Sequence, residues 1–143
     1  MQRRTVLGAV AGVIALSGCG SSGGKHTDEE WNQLLIDALE PLAPAVELTD
    51  FSYSMQGVLG RKDSAWISGV VMSDTDADAI NEALLDDVGR TIATVHRNNP
   101  AKRSRVTVYV LSPSRMSSYK FQDKLDKGVV TIDDLAELYG VDR

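Results

Sequence analysis

The sequence predicts a small α+β domain in which helices pack on one antiparallel sheet. Two observations support this fold class. The 143 residues are 43% hydrophobic and 24% charged, which is the composition of an ordinary globular chain. The hydrophobic pattern changes along the chain between the period of about 3.6 residues of a helix and the period of two of a strand. We predict one domain over residues 27–143, with the element order helix, strand, strand, helix, strand, helix.

The first predicted helix begins at Thr27. Thr27 and, three residues later, Glu30 form the sequence signature of a capping box. Pro41 and Pro44 end the helix, because proline lacks the backbone N–H that a helix interior requires. The apolar residues between these limits have the spacing of one buried helical stripe: Trp31, Leu34, Leu35, Ala38, Leu39 and Leu42.

Two strands joined by a short polar connection follow the first helix. Apolar and polar residues alternate from Phe51 to Leu59, and residues 66–72 form a second apolar run. The polar turn between them, Gly60–Ser64, is short enough that the pair is predicted to be an antiparallel hairpin. Gly57 and Gly69 are predicted to mark bulges or a close approach of two backbones.

A long helix and a central strand come next. Ser73 or Asp74 can cap the helix, which is predicted to run to about Arg97. Its apolar side contains Ala77, Ile80, Leu84, Val88, Ile92 and Val95. Residues 105–111 then alternate valines with Thr107, Tyr109 and Leu111, which predicts the central strand of the sheet.

The last part of the domain is predicted in less detail. The segment 115–127 has no clear pattern, and Val129-Val130 is predicted to add a short edge strand. Thr131 is predicted to cap a final helix that runs through Tyr139 and ends at Gly140.

The first 18 residues have the plan of a secretory signal. Met1–Arg4 is positively charged, and Val6–Gly18 is an apolar run of 13 residues, shorter than the roughly 20 that a transmembrane helix needs. The run ends in Leu16-Ser17-Gly18-Cys19. This tetrapeptide resembles the lipobox of bacterial lipoproteins, so residues 1–18 are predicted to be a signal peptide that is removed.

The lipoprotein resemblance implies that Cys19 is the lipidation site and the first residue of the mature chain. Its thiol would receive a diacylglyceryl group with acyl chains of the palmitate type, which would hold the protein on the extracytoplasmic face of the cell membrane. The alternative is an ordinary signal peptide followed by an unmodified cysteine. Arg3-Arg4 also resembles a twin-arginine signal, so export through either the twin-arginine or the general secretory route stays open. Residues 19–26 are rich in Gly and Ser and are predicted to be a flexible tether.

Charge and cysteine content exclude some classes of function. The chain has 15 Lys+Arg and 20 Asp+Glu, and removal of Arg3 and Arg4 leaves 13 against 20, a net charge of −7. Such a domain does not attract nucleic acid, so no nucleic-acid partner is predicted. A single cysteine excludes an internal disulfide, so the stability of the exported domain must come from its core.

Two short motifs resemble functional sites and are both incomplete. Asp74-Thr75-Asp76-Ala77-Asp78 opens like a calcium loop, but Ala79 replaces the required glycine and Leu85 the bidentate glutamate, so no metal site is predicted. Ser117-Ser118-Tyr119-Lys120 resembles the S-x-x-K motif of penicillin-recognising enzymes. The K-T-G and S-D-N partners of that family are absent from the sequence, so no catalytic residue is assigned.

The remaining candidates are two histidines and a set of basic residues. His26 and His96 are predicted to be solvated surface residues, and no cofactor is predicted. The second half of the domain is rich in basic residues, which either face anionic lipid or cell-wall polymer or form an ordinary solvated surface. These residues are Arg97, Lys102, Arg103, Arg105, Arg115, Lys120, Lys124 and Lys127.

The sequence therefore predicts a membrane-anchored extracytoplasmic lipoprotein whose domain is a non-catalytic binding or interaction module of the cell envelope. Its partner would be an envelope protein, a peptide or a polymer. One alternative is a small hydrolase or transferase whose site is assembled only by folding, around Ser117, Lys120 or Tyr109. Another is a structural subunit of a membrane complex.

Overall fold

The structure is a computed structural model, and it describes residues 26–42, 46–56 and 63–143. The predicted signal peptide, Cys19 and most of the predicted tether lie outside these residues. Gly57, at which a bulge was predicted, and Pro44 lie outside them as well. In the described part no helix is both long enough and apolar enough to cross a membrane.

Four strands form one mixed sheet. They are β1 (Val46–Gln56), β2 (Ser64–Ser73), β3 (Arg103–Leu111) and β4 (Ser118–Lys120), and they lie in the order β1-β2-β3-β4. The β1/β2 and β3/β4 pairs are antiparallel, whereas β2 and β3 are parallel. The α+β class is thus confirmed, and the prediction of a wholly antiparallel sheet is wrong for the central pair.

The helices are α1 (Asp28–Leu39), α2 (Asp78–Val95), α3 (Phe121–Leu125) and α4 (Ile132–Tyr139), and a 3-10 turn, Glu40–Leu42, extends α1. The parallel pairing of β2 and β3 follows from α2. Its 18 residues rise about 27 Å, roughly the length of a strand, and so return the chain to the end of the sheet where β2 began. The next strand must then run in the same direction.

The predicted capping box at Thr27 is present, and the predicted cap Thr131 forms one as well. The Thr27 side chain accepts a hydrogen bond from the Glu30 N–H while the Glu30 carboxylate accepts one from the Thr27 N–H. Thr131 and Asp134 form the same reciprocal pair at the start of α4. Gly140 ends α4 with a φ of 68° in the left-handed region that glycine favours. The sequence signals at these helix ends are therefore confirmed.

The start of α2 differs from its prediction. The helix begins at Asp78, after Ala77, and not next to Ser73 or Asp74. Ser73 is hydrogen-bonded instead to Thr75, whose N–H donates to the Ser73 hydroxyl over 3.1 Å. This local side-chain bond offers the backbone an alternative to helix, which delays the first turn.

A β-bulge lies where Gly69 suggested one. The pairing register of β1 with β2 shifts between Thr49 and Ser52, so Asp50 and Phe51 together oppose Gly69. Asp50 takes a φ of 57°, in the left-handed region. The Phe51 ring lies directly over Gly69, where a Cβ would come within 2.6 Å of it. Glycine is required here because the ring occupies the space of a side chain.

The chain between β3 and α4 contains elements that were not predicted and one wrong prediction. The segment 115–127, which had no clear pattern, contains β4 and α3. Val129-Val130 forms no strand. Its one link to the sheet is the Val130 carbonyl, which accepts a hydrogen bond from the Val106 N–H over 2.8 Å.

The core of the described part lies between the sheet and the helices. Its buried apolar side chains come from every helix and from β2, β3 and β4, with Tyr53 from β1. All of them lie between Trp31 and Ala136 in the sequence. The core of the described part is therefore built entirely within the segment 26–143.

Candidate functional site

In the part of the chain that the structure describes, the helices cover one face of the sheet and leave the other uncovered. In β2, the residues from Ala65 to Ser73 alternate strictly between buried and partly exposed, and Val106, Val108 and Val110 of β3 are all fully buried. The buried set faces the helices. The other face, which we call the open face, presents side chains of β2, β3 and β4, among them Trp66, Ser68, Arg105, Thr107, Tyr109 and Lys120.

Two cations lie over aromatic rings on the open face. The Arg105 guanidinium carbon is 5.3 Å from the centre of the Trp66 ring, and Lys120 Nζ is 5.6 Å from the centre of the Tyr109 ring. The Trp66 indole N–H donates to Thr107 Oγ1 over 3.2 Å. Because its only donor is already bonded, Trp66 has a fixed orientation and exposes apolar ring surface, at 40% of its full area.

A cavity of about 290 Å³ opens beside Trp66. It lies at the end of the sheet where β1 ends and where β2 and β3 begin, and we call it the Trp66 cleft. Its lining includes Gln56, Trp66, Arg103, Ser104, Arg105 and Val129. A neighbouring cavity of about 270 Å³ shares Arg103, Ser104 and Val129 with it, so the two cavities adjoin each other.

The two arginines of the Trp66 cleft differ in their partners. Arg103 forms an ion pair with Asp63, with 3.1 Å between guanidinium nitrogen and carboxylate oxygen, and this hydrogen bond lowers the pKa of Asp63. Arg105 has no carboxylate within 4 Å among the described residues, and its side chain is exposed. The Arg105 guanidinium is therefore available to an anionic group that enters the cleft.

The predicted basic residues do not form one surface. Arg103 and Arg105 share the Trp66 cleft, and Lys102 lines the adjoining cavity. The remaining ones are dispersed. Lys124 pairs with Asp86 at 3.0 Å and Lys127 with Asp134 at 2.8 Å. Arg97 follows α2, Lys120 lies on the open face, and Arg115 follows β3 at the opposite end of the sheet.

The two histidines have different environments. His26 is exposed, as predicted. His96 is fully buried, so its prediction as a surface residue is wrong. It follows the last residue of α2, where the helix end turns inward and the aromatic rings of Trp31 and Tyr53 enclose the imidazole.

The S-x-x-K motif does not form a catalytic pair. Ser118–Lys120 is a strand and not a helix, so the backbone places Ser117 and Lys120 roughly 10 Å apart along the chain. Ser117 instead joins a turn: its carbonyl accepts from the Ser112 N–H over 3.0 Å. Lys120 lines a third cavity, of about 300 Å³, together with Glu82, Tyr119, Asp123 and Lys124, and Ser117 is not part of that lining.

Two of the three aspartates that resembled a calcium loop, Asp76 and Asp78, have protein partners. Asp76 accepts a hydrogen bond from the Ser114 N–H over 3.3 Å, and hydrogen bonding by Ser114, its hydroxyl first and its N–H second, lowers the pKa of Asp76. Asp78 accepts a hydrogen bond from the Tyr119 hydroxyl. Within the described residues there is no group of three or more His, Cys, Asp or Glu side chains that could hold a metal ion.

The alternation of residues along β2 is an indication of the Trp66 cleft that short sequence motifs do not reveal. Successive side chains of a strand point to opposite faces of the sheet, so Trp66 and Ser68 lie on the face opposite the buried Ile67. The alternation that buries Ile67 therefore also exposes Trp66. Arg105 lies directly beside Trp66 in the parallel register of β2 and β3. The pair becomes recognisable only once that register is known.

Comparison of the chain with protein-family models, with curated proteins and with solved structures yields no match in any of the three.

Proposed function

We propose that this chain is an extracytoplasmic lipoprotein, held on the cell membrane by lipid on Cys19. Its domain is a non-catalytic binding module that contacts an anionic component of the cell envelope through the open face of the sheet. The tetrapeptide Leu16-Ser17-Gly18-Cys19, the preceding apolar run and the single cysteine support the anchor.

The observation that supports binding is the pairing of Arg105 with Trp66 at the cleft. A fixed, partly exposed tryptophan beside an unpaired arginine has the residue types that dominate the binding energy of protein interfaces. The ring offers apolar contact area, and the guanidinium offers a fork of donors to a carboxylate or a phosphate. Within the described part of the chain, no carboxylate already occupies that fork.

The anchor is tested by a Cys19→Ala variant expressed in its native cell. We expect the wild type in the membrane fraction, shortened by 18 residues and labelled by a radioactive fatty acid. The variant should lose the label and accumulate as the full-length precursor. A variant that is processed and membrane-bound like the wild type would rule out lipidation at Cys19.

The binding surface is tested by site-specific photo-crosslinking in intact cells. A crosslinking side chain at Ser68 lies on the open face, and one at Glu137, exposed on α4, is the matched control on the helix side. We expect Ser68 to capture an envelope component that Glu137 does not capture, and Arg105→Gln to reduce the yield. Equal products from the two positions would mean that the open face is not a binding surface.

A further inference from the structure

We propose that the Trp66 cleft is a second membrane contact, which binds the headgroups of anionic lipids and so orients the domain on the surface that Cys19 anchors it to. This inference rests on the proposed function, because it takes the membrane as the component that the cleft meets. It identifies the anionic partner at this end of the open face as lipid phosphate.

The chain enters the domain at the end of the sheet that carries the cleft. The Asp28 carboxylate, in the first turn of α1, accepts a hydrogen bond from the Met55 N–H over 3.3 Å. Met55 pairs with Ala65, and Ala65 lines the Trp66 cleft. The entry point and the cleft are therefore at the same end of the sheet.

The chain between the proposed lipid anchor and the domain is short. Eight residues lead from Cys19 to Thr27, and a fully extended chain of eight residues spans at most about 29 Å. The ten residues of β2 alone extend over roughly 33 Å. The linker from Cys19 to Thr27 is thus shorter than the sheet, so it keeps the domain near the bilayer. The end of the sheet that carries the cleft is the end attached to this linker.

The cleft combines exposed apolar side chains with arginines. Trp66 and Val129, exposed by 40% and 45%, are two of the exposed large hydrophobic residues of the described chain, and both line this one cavity. Arg103 and Arg105 line it as well. Tryptophan, an aliphatic side chain and arginines together are the composition of surfaces that lie at the headgroup level of a membrane.

The acidic residues at this end differ in their positions. Asp63 is paired with Arg103, and Asp133, which lines the adjoining cavity, is paired with Arg143. The acidic first turn of α1 belongs to a helix that packs its buried side chains into the core on the helix face of the sheet. Trp66 and Arg105 are on the open face, so this acidic turn and the cleft lie on opposite sides of the sheet.

The test uses the unlipidated segment 26–143, which contains all of the core packing, and vesicles of either phosphatidylglycerol or phosphatidylcholine. The protein has two tryptophans, and Trp31 is only 4% exposed, so a change in emission on binding reports Trp66. We expect a blue shift with phosphatidylglycerol that is absent with phosphatidylcholine and reversed by salt. Phosphatidylglycerol brominated on its acyl chains should quench the emission of Trp66.

Arg105→Gln and Arg115→Gln are the matched pair of variants. Both remove one positive charge, but Arg115 lies at the opposite end of the sheet. Each basic residue near an anionic surface contributes about 1 kcal/mol, so Arg105→Gln should weaken binding about fivefold. Arg115→Gln should bind like the wild type.

Three results would overturn the inference: no shift with phosphatidylglycerol, the same shift with both lipids, or equal losses for the two variants. Quenching by brominated lipid is measured on the wild type, so the test does not depend on any variant. Because Cys19 is absent from the segment, failure here leaves the anchor proposal unaffected, and failure of the Cys19→Ala test leaves the vesicle result standing.

Discussion

The imidazole of His96 stacks on the phenol ring of Tyr53, with ring centroids 5.5 Å apart and planes inclined by 6°. The centroid of the Trp31 ring is 5.0 Å from that of the His96 imidazole. Asn99 links the cluster: its amide nitrogen is 2.8 Å from the Tyr53 hydroxyl and 3.2 Å from His96 Nδ1, and its Oδ1 accepts from the Ala101 N–H. Since an amide nitrogen can only donate, Nδ1 is an acceptor and the proton of the neutral ring is on Nε2.

The buried His96 predicts that the domain loses stability in mild acid. Burial first, and the charge of Arg143 second, lower the pKa of His96 from 6.5 to about 4. The unfolded chain therefore binds a proton at higher pH than the folded one. This contribution to stability is fully present above pH 6.5 and is lost as the pH falls toward 4. We expect a decrease of about 3 kcal/mol in the free energy of unfolding across this window.

Urea unfolding at pH 7.5 and pH 4.5 measures the effect, and two histidine variants assign it. The free energy of unfolding should differ much less between the two pH values in His96→Gln than in the wild type, because the glutamine at this position does not titrate. His26 is exposed, so His26→Gln should keep the pH dependence of the wild type. If His96→Gln retained the full dependence, the acid sensitivity would have another origin.

A second prediction concerns the contact between α4 and α2. The Tyr139 hydroxyl donates to Asp86 over 2.8 Å, and Lys124 pairs with the same carboxylate at 3.0 Å. Burial alone would raise the pKa of Asp86, but the bonds from Tyr139 and Lys124 outweigh it and lower the pKa. Tyr139→Phe removes a hydrogen bond to a charged group, and we expect the free energy of unfolding to fall by about 1 to 2 kcal/mol.

The control for Tyr139→Phe is Tyr109→Phe on the open face. Both changes delete one hydroxyl, but no hydrogen bond of the Tyr109 hydroxyl is present in the described part of the protein. Tyr109→Phe should therefore change stability by less than about 0.5 kcal/mol. Equal urea midpoints for the two variants would show that the bond to Asp86 does not stabilise the domain.

Local signals in the sequence predicted local structure well. Thr27 was recognised as a helix cap because the signature of a capping box is complete within four residues. Thr131 was also predicted correctly as a cap, but its box with Asp134 was identified only by the structure. The alternation of buried and exposed residues in β2 and β3 was equally predictable, because one face of each strand is buried. Gly69 was a correct indication of a bulge, although the ring that requires it, Phe51, was identified only by the structure.

Features that depend on distant residues were the ones missed. The parallel direction of β3 depends on where α2 returns the chain, and His96 is buried by Trp31 and Tyr53, which are 65 and 43 residues earlier in the sequence. The Trp66 cleft has the same origin, because it joins the ends of three strands. Cys19 remains a prediction from sequence, since it lies outside the residues that the structure describes.

The last prediction reverses the usual effect of a substitution in a helix. Gly89 lies inside α2, where alanine would ordinarily stabilise a helix by about 1 kcal/mol. A Cβ at Gly89 would lie 2.5 Å from a ring carbon of Tyr139 and 2.7 Å from one of Phe121. Both rings pack in or against the core and cannot withdraw freely, so Gly89→Ala should destabilise the domain by about 1 to 3 kcal/mol.

Gly128→Ala is the matched control for Gly89→Ala, because a Cβ at Gly128 would meet no atom within 4 Å. Thermal unfolding of the two variants separates crowding from the general effect of an added methyl group. Gly128→Ala should unfold at or slightly above the temperature of the wild type, since alanine restricts the unfolded chain. Gly89→Ala should unfold several degrees lower. A Gly89→Ala protein as stable as Gly128→Ala would mean that α4 and α3 do not pack closely on α2 at this glycine.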